Sequence, residues 1–338
     1  MKNYTVKLYE KNDFQAWNAF ISSAKNATFL FHRDFMEYHS DRFQDYSMMV
    51  FEEGKLVSVI PANKVENTVF SHQGLTYGGF VFGESLSIDE INNIVTVVLE
   101  FLKNNEVVEF VIKEIISIYN GLGDFTSILK LNGFEVFTSK TNLAVDFKSD
   151  FKISKSKLKH FKRISSIGLE IKKEDDLSAF WNLVLIPRLQ QKFNSKPVHS
   201  IDEITFLKEK FANNIFQYNV YLEGEILAGI TIFKTDKVVK SQYGAITESG
   251  EKYRALDYLY INLINKYSNK FDFFDMGTVD DDSELGYNVG LLNQKKELGG
   301  VVFEQNLKNN SSVTFTNTNV WRSGSFYDAN VSAVNFSV

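Results

Sequence analysis

The chain has 338 residues, of which 44% are hydrophobic and 23% charged, with a net charge of −5 and no cysteine. A chain of this length exceeds most single cores and predicts two domains of roughly 150 residues each. The acidic balance argues against a general nucleic-acid binder and against DNA as a partner, and the missing thiols exclude disulfides, thiolate metal sites and a cysteine nucleophile.

No stretch approaches the ~18 uninterrupted apolar residues of a membrane span. The opening residues, MKNYTVKLYEKNDF, lack the apolar core of a signal peptide. A cytoplasmic location is expected. Many Phe, Asn and Lys with 3 Pro point to an AT-rich bacterial genome.

Along the chain the same pattern is met twice. Ser47 to Ile60 alternates into a strand, turns at Glu52–Glu53–Gly54–Lys55 and returns as a strand. Asn219 to Ile230 does the same around Glu223–Gly224–Glu225. The glycines, 170 residues apart, supply the positive φ that a tight hairpin needs. Thr76–Tyr77–Gly78–Gly79 is paralleled by Gln242–Tyr243–Gly244–Ala245 at an offset of 166. Apolar residues at helical spacing from Ile91 to Asn104 lead into a buried strand, Val107–Ile112. Their counterparts are a helix near Ala255–Tyr267 and a strand Phe271–Asp275. Gly133 and Gly299, again 166 apart, each close a helix and open a strand.

Landmarks in one order at nearly one offset indicate a duplication. The fold class expected is α/β of the mixed α+β kind, each half a mixed sheet flanked by helices. The boundaries expected are a first lobe over 1–146, a linker over 147–156, a second lobe over 157–305 and a tail over 306–338. In that tail Ser312–Phe315 and Ala333–Phe336 could add strands.

The order of elements, with a hairpin before a strand that leads into a helix, resembles the GNAT fold, and two such lobes in tandem resemble the Fem-type (FemAB-like) transferases. The motifs that carry the resemblance are Lys196–Pro197–Val198–His199–Ser200, Ser241–Gln242–Tyr243, Ala255–Leu256–Asp257 and Asp275–Met276–Gly277–Thr278. Asn288–Val289–Gly290–Leu291 follows, with Lys295 and Gly299. They cover most of 150–305; over 1–145 the likeness is that of the repeat. The chain departs from the pattern at Gln294, where relatives often carry Phe, and in the phosphate loop. There Gly250 and the basic residues of Thr247–Arg254 are all that match.

The resemblance implies transfer of an acyl group to an amine. Such transfer needs two substrates held in line, a route for the amine proton and a stabilised oxyanion. The donor would lie where strands Val238–Ile246 and Phe271–Gly277 part, its diphosphate on the Thr247–Arg254 turn with Gly250, Lys252 and Arg254. Phe82–Leu86, the first lobe's counterpart, has no basic residue. Asp275, read as a strand end, is the candidate for orienting or deprotonating the acceptor amine, Tyr287 for protonating the leaving thiolate, and His199 for a loop base. Lys295 lies two helical turns after Asn288 and would face the same cleft. Gln242, Tyr243, Asn288 and Ser200 are candidates for lining the acceptor pocket. Asp275 and Lys295 are expected to face one cleft, from an element end and a polar helix face, where Ala would cost about 1 kcal/mol or less. Ser200 can also cap the Asp202–Phe211 helix, and Pro187 is read as the first residue of the helix before it.

Asp280–Asp281–Asp282 reads as a solvated loop and no metal is expected. Lys152, Lys155, Lys157, Lys159, Lys162 and Arg163 form a segment without an acid, suited to an anionic partner. The leading expectation is an N-acyltransferase using acyl-CoA, acetyl-CoA first among the candidates, on an amino sugar or a lipid- or nucleotide-linked envelope precursor. The alternatives are an aminoacyl-tRNA-dependent peptidyl transferase of the Fem type and a binding module that has lost its chemistry.

Overall fold

The computed structural model describes residues 2–119, 122 and 125–310. The possible strands at Ser312–Phe315 and Ala333–Phe336 lie outside these residues. The chain folds as two compact units. One runs from the N-terminus to Ser139 and takes in the strand from Gln305 onward, and the other is Lys140–Glu304. Each holds a mixed sheet with helices packed on it, the mixed fold class that the sequence predicts.

The first unit begins with β1 (Tyr4–Leu8), α1 (Phe14–Ser23) and the short α2 (Arg33–Met36). Six strands follow: β2 (Gln44–Asp45), β3 (Met48–Glu52), β4 (Lys55–Ile60), β5 (Asn63–Val65), β6 (Thr68–Phe70) and β7 (Val81–Phe82). Then come α3 (Ile88–Asn104), β8 (Glu109–Lys113), α4 (Phe125–Leu131) and β9 (Glu135–Asp146). Ser87 caps α3 in a reciprocal pair with Glu90, which fixes the helix start ahead of its apolar stripe. That stripe, from Ile91 to Leu102, packs with Phe80, Phe82, Phe110 and Phe134 to make the unit's core.

The second unit continues with α5 (Lys155–Ile164), β10 (Glu170–Glu174), α6 (Ser178–Phe180), α7 (Ile186–Phe193) and α8 (Ile201–Lys210). Strands β11 (Ile215–Leu222), β12 (Glu225–Lys234) and β13 (Val238–Ile246) lead to α9 (Glu248–Tyr253) and α10 (Ala255–Tyr267). Strand β14 (Phe273–Thr278), α11 (Val289–Glu297) and β15 (Val301–Asn310) complete the described chain. The sheet order is β10-β11-β12-β13-β14-β9. All pairs in it are antiparallel except β13 with β14. Helix α10 buries residues on most of its circumference, as a helix set deep in a core must.

Pro187 does not start a helix. Helix runs without a break from Ser178 to Phe193, and Trp181–Leu185 widen into a π turn just ahead of the proline. Pro has no N–H and its ring crowds the preceding turn, and the wider turn accommodates both defects.

The two units repeat each other in detail. Glu53 and Gly54 have φ of 48° and 85°, and Glu223 and Gly224 have 51° and 85°. Both hairpins carry a register shift at the equivalent place, Val50/Phe51 in one and Val220/Tyr221 in the other. Gly133 and Gly299, at φ 81° and 94°, end α4 and α11, and β9 and β15 follow them. The parallel between Tyr77 and Tyr243 does not hold. Tyr243 is in a strand, whereas Tyr77 lies in an irregular segment.

Each unit is completed by a strand that follows the other unit's last helix. β9, after α4, pairs antiparallel with β14 from Asn142 to Asp146. β15, after α11, pairs antiparallel with β8 from Leu307 to Asn310. The change of unit at Ser139 therefore falls inside a continuous strand, ahead of the 147–156 segment. Residues 306–310 belong to the second exchanged strand.

Candidate active site

Strands β13 and β14 run parallel and pair at Val238, Val239 and Lys240, opposite Phe273, Phe274 and Asp275. β13 continues to Ile246 and β14 to Thr278, with no further backbone pairing between them. Two irregularities open this gap. Gln242 is an extra residue in β13 against β12. β14 shifts register against β9 between Asp275 and Thr278. Bulges of this kind bend a strand and re-aim its side chains. Ser241 accordingly meets Tyr260 on α10, while Tyr243 meets Trp181 and His199 on the other side.

At the point of divergence sits a buried ion pair. Lys240 Nζ donates to Asp275 Oδ2 at 3.0 Å. The other carboxylate oxygen accepts from Asn142 Nδ2 at 2.9 Å and from the Gly277 N–H at 2.7 Å. Asp275 is in the middle of β14 and fully buried, not an exposed strand end. Lys295 is likewise 1% exposed, not on a solvated helix face. Its ammonium donates to the carbonyl oxygens of Thr278 at 2.8 Å and Gly277 at 3.1 Å, across the β14 bulge. Burial, and then the nearby Lys240 charge, push the Lys295 amine down to about 7, against opposing pulls from Asp275 and Asp280. Both are core positions, so the premise on which Ala is expected to cost little stability does not hold.

His199 and Tyr243 come together as well. His199 Nδ1 lies 2.5 Å from the Tyr243 hydroxyl, and the His199 N–H donates to the same oxygen at 3.4 Å. Trp181, from the π turn, stands edge-on to Tyr243 with ring centres 5.0 Å apart. Gln242 Oε1, Asn142 Oδ1 and Trp181 Nε1 are buried polar atoms with no protein partner among the described residues. Buried groups left in this state call for an explanation, and a ligand is one.

Other candidates serve helix ends. Ser200 accepts from the Glu203 N–H and caps α8, and Asn288 accepts from the Leu291 N–H and caps α11. Tyr287 precedes that cap, half-buried and bridged to Asp280 through the backbone. Thr247 accepts from the Gly250 N–H and caps α9. Gly250 lies against β12, and a Cβ there would come 2.3 Å from the Leu227 carbonyl oxygen. The turn thus spends this amide on its own side chain and carries Glu248 and Glu251, which gives a diphosphate little to hold. Lys252 and Arg254 are exposed beside it. Asp280 accepts from the Thr141 N–H, and Asp281 from the Ser283 N–H.

In the first unit the same opening is filled. β6 pairs parallel with β8 over three residues, and the chain then folds back. Ser71 N–H donates to the Val111 carbonyl, Ser71 Oγ accepts from the Lys113 N–H, and Gly78 N–H donates to the Lys113 carbonyl. A Cβ on Gly78 would fall 1.9 Å from the Ser71 carbonyl oxygen, so only glycine lets the segment close this tightly. The unit does repeat one polar pair. Asn309 Nδ2 on β15 donates to Glu109 Oε1 on β8 at 2.9 Å, as Asn142 on β9 does to Asp275.

Lys240, Asn142 and Trp181 are missed by sequence reasoning. Lys240 had a signal, a single charge inside the apolar strand Val238–Ile246. Asn142 and Trp181 had none, because their partners are remote in the chain.

A family described as a domain of unknown function (DUF5916) matches residues 298–338. No curated protein matches the sequence. Among solved structures, FemX superposes with a TM-score of 0.66 at 13% identity, over 90% of this chain and 97% of its own. The C-terminal domain (DUF2156) of a putative lysylphosphatidylglycerol synthetase from Agrobacterium fabrum gives 0.59 at 10%, over 88% and 91%. L-PGS from Bacillus licheniformis gives 0.58 at 14%, over 88% and 91%. At such identities the likeness is one of fold. The chain has a FemX-like fold, built from mixed sheets flanked by helices.

Proposed function

We propose that the chain transfers an acyl or aminoacyl group from an activated ester or thioester to an amine, at the opening between β13 and β14. The observation that carries this reading is the group of buried charges Lys240, Asp275 and Lys295 around that opening. Buried ion pairs are seldom the most stabilising choice for a core, and clustered perturbed groups are what a site requires. The donor carbonyl would lie in the gap. The Lys295 amine holds two carbonyls, and in its protonated form, present at and below about pH 7, a third N–H could meet an oxyanion as the acceptor amine attacks. Asp275, already engaged by three donors, is better placed to hold Lys240 and β14 in position than to take the amine proton. Tyr243 and His199 are the groups suited to receive that proton.

The donor is either acyl-CoA or an aminoacyl-tRNA. The acid-bearing α9 turn, with its Gly250 N–H already used, favours an ester carrier over a CoA diphosphate. The FemX-like fold accords with a cell-envelope or lipid-linked acceptor. The test is a thermal-shift comparison of acetyl-CoA, free CoA and charged tRNA. A ligand at 100 times its Kd should stabilise by about 2.7 kcal/mol. The reading fails if none of the three shifts the parent protein, or if a shift survives unchanged in Lys295→Met.

A further inference from the structure

Helix α5 presents Lys155, Lys159, Lys162 and Arg163 to solvent, while Phe161, Ile164 and Lys157 turn inward. Phe161 stacks on Tyr258 of α10 with ring centres 5.3 Å apart, and Lys157 Nζ meets Asp257 at 2.5 Å. These contacts fix the helix with its basic face outward. Arg254, exposed at the start of α10, joins the same group. His160 is held below its ordinary pKa by partial burial first and then by Arg254, Arg163 and Lys159 around it. None of Lys155, Lys159, Lys162, Arg163 and Arg254 forms an ion pair among the described residues.

Residues 152–163 carry six positive charges and no acid in a chain whose net charge is −5. This face therefore carries a local excess of positive charge against the sign of the whole chain. That face is not purely ionic. Leu158 lies beside Lys155 and Lys162 at 37% exposure, and Ile167 in the following turn is 39% exposed. Phosphodiester backbones reward the cations and leave such apolar groups idle. The boundary of an anionic bilayer rewards both.

We propose that the outer face of α5, with Arg254, docks the protein on an anionic lipid surface. Leu158 and Ile167 enter the headgroup region while the cations meet lipid phosphates. This stands apart from the transfer reaction, and its test needs no donor or acceptor.

The experiment is co-sedimentation of the intact chain with vesicles of phosphatidylcholine alone and of phosphatidylcholine with about one-third phosphatidylglycerol, at low and high salt. Binding is expected to the anionic vesicles and to weaken with salt. Each neutralised cation should lower the partition about fivefold at low salt, so Lys159→Gln/Lys162→Gln/Arg163→Gln should lose roughly a hundredfold. Leu158→Ser should weaken binding several-fold and leave its salt dependence unchanged. Lys103→Gln/Lys130→Gln, with exposed lysines of the first unit, should bind as the parent does. Circular dichroism and melting should match the parent in every variant, since all these side chains are exposed. Equal binding to neutral vesicles, or an unaffected triple variant, overturns the proposal. So does capture of a short RNA duplex at a salt concentration where the anionic vesicles are not bound, with Leu158→Ser indifferent.

Discussion

Asn142 donates to the carboxylate of Asp275 at 2.9 Å, so a residue of the exchanged strand β9 fixes the acid on the neighbouring strand β14. The same carboxylate holds Lys240, and the three form one buried polar group. Removing one charge strands the other. Lys240→Ala and Asp275→Ala should each lose about 3–5 kcal/mol, while Lys240→Met/Asp275→Leu should lose less than either single change. Denaturant midpoints of the three variants decide this, and additive losses would contradict a coupled pair.

Lys295 should give the protein an alkaline signature. Its amine sits near 7 when folded, against an ordinary 10.5. Between those values the unfolded chain binds a proton that the folded one does not. Stability should therefore rise with pH across that window, by up to about 1.4 kcal/mol per unit. Denaturation of the parent and of Lys295→Met at pH 7 and pH 9 measures it. A difference between the two proteins that stays constant with pH would show that the amine titrates normally.

His39 and His72 should set the acid limit of the first unit. Burial pushes them down to about 4 and about 3, and their rings lie 5.2 Å apart. Arg42 and Asp41 act on the first, Asp45 and Arg33 on the second. Below the ordinary value of 6.5 the unfolded chain takes up protons that the folded one refuses. Stability is thus fully present above that value and falls as pH drops toward 4 and 3, by up to about 1.4 kcal/mol per unit for each ring. His39→Leu/His72→Leu should flatten this acid limb in urea titrations.

Gly78 and Gly54 should respond differently to Ala. At Gly78 the added methyl meets the Ser71 carbonyl oxygen at 1.9 Å, and backbone must move. A loss of several kcal/mol is expected. At Gly54 there is open space and a φ of 85°, so the cost is the left-handed conformation alone, about 1–2 kcal/mol. Melting temperatures of the two variants rank them.

The hairpins at Gly54 and Gly224, the helix Ala255–Tyr267 and the closing glycines 133 and 299 were legible because turn chemistry and helical periodicity are local signals. Lys295 and Asp275 were named through a family resemblance, but their burial was not foreseen. Periodicity does not tell that a polar residue is roofed by a strand arriving from elsewhere. Nor could the sequence foresee that Ser71–Gly78 folds back where Gln242–Ile246 continues, since both stretches pair an aromatic with small residues. The filled space depends on Gly78 meeting Ser71, a contact made only after folding.

The exchanged strands also constrain the order in which the chain can fold. β8 ends at Lys113, and its partner Leu307 is synthesised 194 residues later. Until then that side of β8 is an open edge of the kind that recruits foreign strands. Cutting the chain after Asp146 would make this transient state permanent. One fragment would lack β15 and keep β9 with nothing to pair against, and the other would lack β9. Neither half should be soluble on its own, and mixing them during refolding should rescue both.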